Sequence, residues 1–227
     1  MPRIYKLTKA GIKILYKVRH HRGHGIHSPF VFNLITKVIE EKTPYHAYED
    51  IEACIENTFH KSRQLNKTNK LLFKLTNYFG AQRILEIGAG MGINSLCLTA
   101  SSKNIKCISV ETTKQKYLEA KKLYQQWNRD ITLITEGLPQ LTEKQDCIFI
   151  NLTELNNYPT ELNQYLLNLS YDKTFIIVKG IRTNRRHQML WREIKEIESR
   201  TAALDLFNIG IVFFDPALYR WDYKISF

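Results

Sequence analysis

"LEIGAGMGINS", residues 85–95, sets Gly88, Gly90 and Gly92 between an apolar run ending at Ile87 and an amphipathic stretch beginning at Ile93. A short apolar run, a glycine turn and a helix form the first half of a βαβ unit, and open α/β sheets take their ligands at such strand ends. Missing side chains there let a ligand approach the backbone closely. The spacing is G-x-G-x-G, whereas the dinucleotide fingerprint, G-x-G-x-x-G, would require glycine where Ile93 stands. Glu86, two residues before the turn, would repel a pyrophosphate but can hold an ammonium group, directly or through water.

The same texture continues outward from this stretch. "RILEI" (83–87), "CISV" (107–110), "ITLI" (131–134), "CIFI" (147–150) and "FIIV" (175–178) are apolar runs separated by helical segments, the signature of a parallel sheet with crossover helices. Upstream the period is helical. Ser28 and Pro29 suit the N-cap and first position of a helix carrying Val31, Leu34, Ile35, Val38 and Ile39. Ile51, Cys54, Ile55 and Phe59 mark a second helix, and Leu71, Leu72, Leu75, Tyr78 and Phe79 a third that stops at Gly80. The tail, 201–227, has strand-like runs joined by short turns and reads as an antiparallel pair at the sheet edge. Two units follow: a helical extension or cap over residues 1–65 and an α/β domain over 66–227.

The second strand ends at Glu111, which can accept hydrogen bonds from both hydroxyls of a ribose. A ribose and an ammonium-bearing group without a pyrophosphate describe S-adenosylmethionine. On "ILEIGAGMGINSLCLT" (84–99), "DCIFIN" (146–151) and "DLFNIGIVFF" (205–214), the chain resembles the class I S-adenosylmethionine-dependent methyltransferases, most of all their catechol O-methyltransferase-like branch. "GHGIHSPFVFNLIT" (23–36) is similar to the N-terminal region of poorly characterised bacterial proteins of that branch. The resemblance implies a Rossmann-like α/β methyltransferase fold, with seven strands in the order 3-2-1-4-5-7-6 and the last strand antiparallel. It also implies cofactor contacts at Glu86, Gly88, Gly90, Gly92 and Glu111, with the adenine near Glu136, Gly137 and Leu138. Relatives in the branch are often dimers, so a homodimer is an expectation.

Two departures from that branch bear on the chemistry. Its metal-dependent members carry an aspartate at the end of strand four and a pair of acidic or amide residues after strand five, which hold magnesium. Here Asn151 stands at the first place and Lys179 and Gly180 at the second. A hard dication wants several anionic oxygens, so no catalytic metal is expected. A basic loop, "KGIRTNRRHQMLWR" (179–192), follows instead, with Arg182, Arg185 and Arg186 as candidate anchors for an anionic acceptor, since arginine forks suit carboxylates and phosphates. A solvated loop is the alternative.

Methyl transfer to a hydroxyl or a protonated amine asks for a base within hydrogen-bond reach. "HHRGHGIHSPF" (20–30) holds four of the seven histidines, and His24 and His27 are candidates if this stretch folds over the cofactor. Lys179 is a further candidate, as base or anion anchor, and Asn151 as a polar orienter. Gly23 and Gly25 interrupt any helix that would align the histidines as metal ligands. A plain turn is the competing reading.

The formal charge of +11 is uneven: residues 1–25 contain seven Lys or Arg and no acid, leaving +4 for the rest. This segment reads as an amphipathic basic helix, able to meet nucleic acid or an anionic membrane, or to lie solvated on the domain. No apolar run suits a transmembrane span, and the four cysteines are scattered, which points to a cytoplasmic protein with reduced thiols. Trp127, Trp191 and Trp221 read as packing residues rather than base-stacking platforms. Three function classes stay open: a methyltransferase acting on a small molecule, one acting on nucleic acid, and a non-catalytic binding protein on the same fold.

Overall fold

A computed structural model describes residues 27–155, 161–225 and 227. Its first helix, α1 (Pro29–Leu34), starts where Ser28 Oγ accepts from the Val31 amide at 3.4 Å, and runs into a π-helical turn, Ile35–Ile39. α2 (His46–Phe59) and α3 (Lys67–Phe79) follow. Reciprocal side-chain bonds between Asn66 and Asn69 cap the start of α3, and Gly80, at φ +61°, takes the left-handed turn that ends it. Lys74 on α3 donates to the carbonyls of Ile39 (3.2 Å) and Glu41 (2.8 Å), fastening the π-turn to the domain.

The sheet comprises β1 (Arg83–Ile87), β2 (Lys106–Val110), β3 (Asp130–Ile134), β4 (Cys147–Asn151), β5 (Phe175–Lys179), β6 (Ala202–Asp205), β7 (Ile209–Phe213) and β8 (Trp221–Lys224). Their spatial order is β3-β2-β1-β4-β5-β7-β6-β8. The first five strands are parallel and β7 runs antiparallel to both β5 and β6. The expected antiparallel pair is present, but β8 lies outside it, parallel to β6. This eighth strand escapes the sequence pattern because three of its four residues are solvent-facing. Asp222 ties it down, pairing with Arg200 (2.7 Å) and with Lys195.

Period-two alternation divides the core between two faces. On one face Ile84, Cys107, Phe149, Phe175 and Ile177 pack against α1, α2, α3, α4 (Ile93–Thr99) and α5 (Lys114–Gln126). On the other, Leu85, Ile148, Ile150, Ile176 and Val178 meet α6 (Leu162–Leu169) and α7 (Arg185–Lys195). Val31, Leu34, Ile51, Ile55 and Leu65 join the first cluster, so the described part of the N-terminal extension shares its core with the sheet. All four cysteines are buried and unpaired. Trp127 and Trp191 are core residues, whereas Trp221 on the edge strand is exposed. Among the described residues no helix is long and apolar enough to cross a membrane.

Candidate active site

The alternation that builds the first face also places Glu86, Ser109, Asn151 and Lys179 on it at the carboxyl ends of their strands. Glu86 pairs in register with Ser109 on β2, and Asn151 with Lys179 on β5. Glu86 is fully buried; its Oε2 accepts from Ser109 Oγ (2.9 Å) and from Ser95 Oγ, and its Oε1 has no partner. Tyr124 on α5 completes the cluster, its hydroxyl bonded to Ser95 Oγ and 3.1 Å from Ser109 Oγ. Burial pushes the Glu86 carboxyl up to about 7, against the lowering effect of the two serine hydroxyls and Lys179.

All three glycines of the turn have positive φ, +87° at Gly88, +60° at Gly90 and +88° at Gly92, which β-carbon-bearing residues rarely adopt. What fills the space they leave differs. A Cβ at Gly88 would lie 2.8 Å from the Asn151 carbonyl oxygen, and one at Gly92 2.6 Å from the Tyr124 ring. At Gly90 the neighbour is a side-chain end, with Glu154 Cδ at 3.1 Å and Oε2 at 3.3 Å. Glu154 lies in the short 3-10 turn after β4, Leu152–Glu154, and its Oε2 receives a 2.7 Å bond from Lys116 Nζ on α5.

Glu111, 1% exposed, accepts from the Gly90 amide (2.7 Å) and the Thr113 amide (2.8 Å), one bond on each oxygen. A carboxylate has about four acceptor positions, so it retains capacity for two ribose hydroxyls. Its own amide donates to the Ile134 carbonyl (2.9 Å), which brings the turn after β3 alongside. There Glu136 and Gly137 are exposed, Gly137 at φ +61° has open space above it, and Leu138 packs on the second face. The glycine at 90, the open turn at 137 and the carboxylate at 111 fit an adenosyl group, with the unpartnered Oε1 of Glu86 buried beneath the turn.

At the next strand ends, Asn151 Oδ1 accepts from Thr153 Oγ1 (2.7 Å). Burial lowers the Lys179 pKa, Glu154 and Glu86 oppose that, and Arg63 adds to it. Arg63 comes from the α2–α3 connection, which is held at this pole by the Leu65 amide on Glu52 (2.8 Å) and by Asn69 on Asn94 of α4 (3.0 Å). His187, at the start of α7, is buried with Nδ1 3.0 Å from the Gly180 carbonyl. Sequence reading missed Tyr124, Ser95, Ser109, Glu154, Arg63 and His187. Only Ser109 left a signal, as a polar residue in an apolar strand.

Two of the candidate residues stand away from this cluster or already have partners. His27 is exposed and lies three residues before Phe30, whose ring packs on Phe79 (6.3 Å) and Phe213 (5.1 Å). Phe213 is the register partner of Phe175, the first residue of β5, so His27 belongs to the amino pole while Lys179 ends the same strand. β5 alone separates the poles by about 13 Å. From Phe30 the N-terminal helix runs towards Lys74, which holds the Ile39 and Glu41 carbonyls. Arg182 is likewise engaged elsewhere, in a two-pronged pair with Asp205 (2.6 Å on each side) and a bond to the Phe207 carbonyl. Arg185 and Arg186 stay exposed in the first turn of α7. His24 and the basic segment lie outside the described residues. Among the described residues no three His, Cys, Asp or Glu side chains converge as metal donors.

No protein-family profile and no curated relative matches the chain. Solved structures do. An O-methyltransferase from Bacillus cereus in complex with S-adenosylhomocysteine is 21% identical, with a TM-score of 0.53, over 81% of this chain and 97% of that one. A putative O-methyltransferase from Klebsiella pneumoniae is 18% identical at TM-score 0.55, over 82% and 96%. The S-adenosylhomocysteine-bound Podospora anserina methyltransferase PaMTH1 is 11% identical at 0.56, over 83% and 97%. The chain has a Rossmann-like methyltransferase fold, extended by an eighth strand.

Proposed function

We propose that this chain is an S-adenosylmethionine-dependent methyltransferase that transfers the methyl group without a metal to the hydroxyl or amine of a small, anionic acceptor. One observation carries the reading: Gly90 and Glu111 meet at the carboxyl pole of this sheet, a backbone covered only by the end of the Glu154 side chain beside a buried carboxylate with free acceptor capacity. The cofactor, when bound, supplies an activated sulfonium methyl. Glu111 receives its ribose and the turn 136–138 its adenine.

The chain's own task is then to position the acceptor and take its proton. Asn151 and Lys179 stand where a metal-dependent relative would present acids, and an ammonium there opposes a dication. Of the candidates within the described residues Lys179 is the base: burial lowers its pKa, the direction that general-base lysines require. Asn151, its Oδ1 already accepting from Thr153, keeps its amide hydrogens as donors for the acceptor oxygen. Arg63, whose positive charge acts on Lys179, together with Arg185 and Arg186 supports an acceptor bearing a carboxylate or phosphate.

S-adenosylhomocysteine at millimolar concentration should raise the melting temperature, as a ligand selective for the native state must. Labelled methyl transfer to hydroxy- and amino-carboxylates should then persist in EDTA. An unchanged melting temperature would refute the cofactor, and strict dependence on magnesium would refute the metal-free mechanism.

A further inference from the structure

The space left by each glycine of the 88–92 turn is taken by the protein itself, and the three occupants differ in freedom. The Asn151 carbonyl is backbone at the end of a central strand, and the Tyr124 ring is held by Ser95 and Ser109. Neither can withdraw without dismantling the sheet end or the hydroxyl cluster. Glu154 is different: its carboxylate reaches Gly90 at the end of a side chain with three rotatable bonds, its side chain is 25% exposed, and its partner Lys116 is 37% exposed. A ligand that rests on the Gly90 backbone must therefore take the place of the Glu154 carboxylate.

That carboxylate is already paired with a primary ammonium, Lys116 Nζ at 2.7 Å. The amino-acid end of the cofactor carries the same group. Building on the cofactor assignment above, we infer that Glu154 is a cofactor-binding residue: it exchanges the Lys116 ammonium for the α-ammonium of S-adenosylmethionine, and so selects a cofactor with an intact amino group. The exchange conserves charge, one ammonium replacing another on the same carboxylate, and frees Lys116 for the anionic α-carboxylate of the incoming ligand. Glu86 is the rival for this role. It lies fully buried beneath the turn and already receives two serine hydroxyls, so reaching it would carry the ligand's α-carboxylate into the core.

The test pairs two probes with three variants, using calorimetry on the full chain. S-adenosylhomocysteine and its analogue with hydrogen in place of the amino group are titrated into wild type, Glu154→Gln, Lys116→Met and Glu86→Gln. Glu154→Gln should weaken S-adenosylhomocysteine about 10- to 100-fold, the range for a hydrogen-bonded charged group, and change the analogue by less than about twofold. Lys116→Met should not reproduce that amino-selective loss, which separates loss of the carboxylate from loss of the ion pair. Tighter binding of both probes by Glu154→Gln would show a side chain that only plugs the cleft, and overturn the inference. So would an amino-selective loss in Glu86→Gln alone, or equal binding of both probes by wild type. If wild type binds neither probe, the cofactor assignment fails as well, an outcome distinct from all of these.

Discussion

The two ends of the sheet are built from opposite materials. At the amino pole Phe30, Phe79, Phe175 and Phe213 interlock, with the Phe79 and Phe175 centroids 4.8 Å apart and the Phe30 ring edge-on to Phe213 at 5.1 Å. The carboxyl pole gathers Glu86, Glu111, Asn151, Glu154 and Lys179 around three glycines at positive φ. Rings at one end supply packing that tolerates no chemistry. Carboxylates, an ammonium and bare backbone at the other spend packing on a ligand's contacts. The lesson concerns His27: its sequence position before the fold says nothing of which pole it reaches, and Phe30 fixes it to the end without chemistry.

The difference between the poles can be broken or sharpened by measurement. The largest effect is expected from Phe175→Ala, which should destabilise by about 3–5 kcal/mol in denaturant unfolding while leaving S-adenosylhomocysteine affinity unchanged where the protein remains folded. A comparable loss of affinity would mean that the poles are coupled. Next comes the pH dependence of the carboxyl pole. The Glu86 pKa is raised from 4.5 to about 7, so the native state holds the extra proton between those values, and its contribution to stability is present below pH 4.5 and lost as pH rises through 7. Wild type should lose on the order of 3 kcal/mol across that window relative to Glu86→Gln, measured as unfolding free energy against pH. Parallel curves would show an ionised Glu86.

A smaller effect is expected from Glu111→Ala, which should weaken S-adenosylhomocysteine about tenfold through the lost charged hydrogen bonds, with 5′-deoxy-5′-methylthioadenosine weakened equally because both carry the ribose. Selective weakening of the amino-acid-bearing ligand would move Glu111 away from the ribose. Lys179→Met should abolish turnover yet preserve cofactor binding, and wild-type turnover should rise with pH towards the lowered lysine pKa. The smallest change belongs to His27→Ala, within about 0.5 kcal/mol in stability and without effect on turnover, as suits an exposed residue at the far pole.

Much of this fold is legible in the chain because its signals are local. Apolar runs of four or five, an N-cap serine before proline and glycine after the third helix each report a backbone state within a few residues, and the first seven strands and the helices stand where those signals put them. Glu86 and Glu111 are legible for the same reason, as acids at the ends of readable strands. The edge strand Trp221–Lys224 is not, since its stability comes from ladder bonds to β6 and from Asp222 on Arg200, contacts that leave no periodicity. The roles of Arg182 and Glu154 were equally hidden. The first is consumed by Asp205, 23 residues on, and the second by Lys116, 38 residues back.

By itself, then, the sequence determined the strand succession, the glycine turn and the two acids that suit a nucleoside, because hydrophobic period and backbone sterics act over short spans. Tertiary structure alone decided which charges remain available. Pairing register set Glu86 against Ser109, packing brought Tyr124 to Gly92 and Glu154 to Gly90, and the Phe30 cluster set His27 at the opposite pole. Electrostatic partners and burial are properties of the assembled molecule, and they determine what each polar side chain is left free to do.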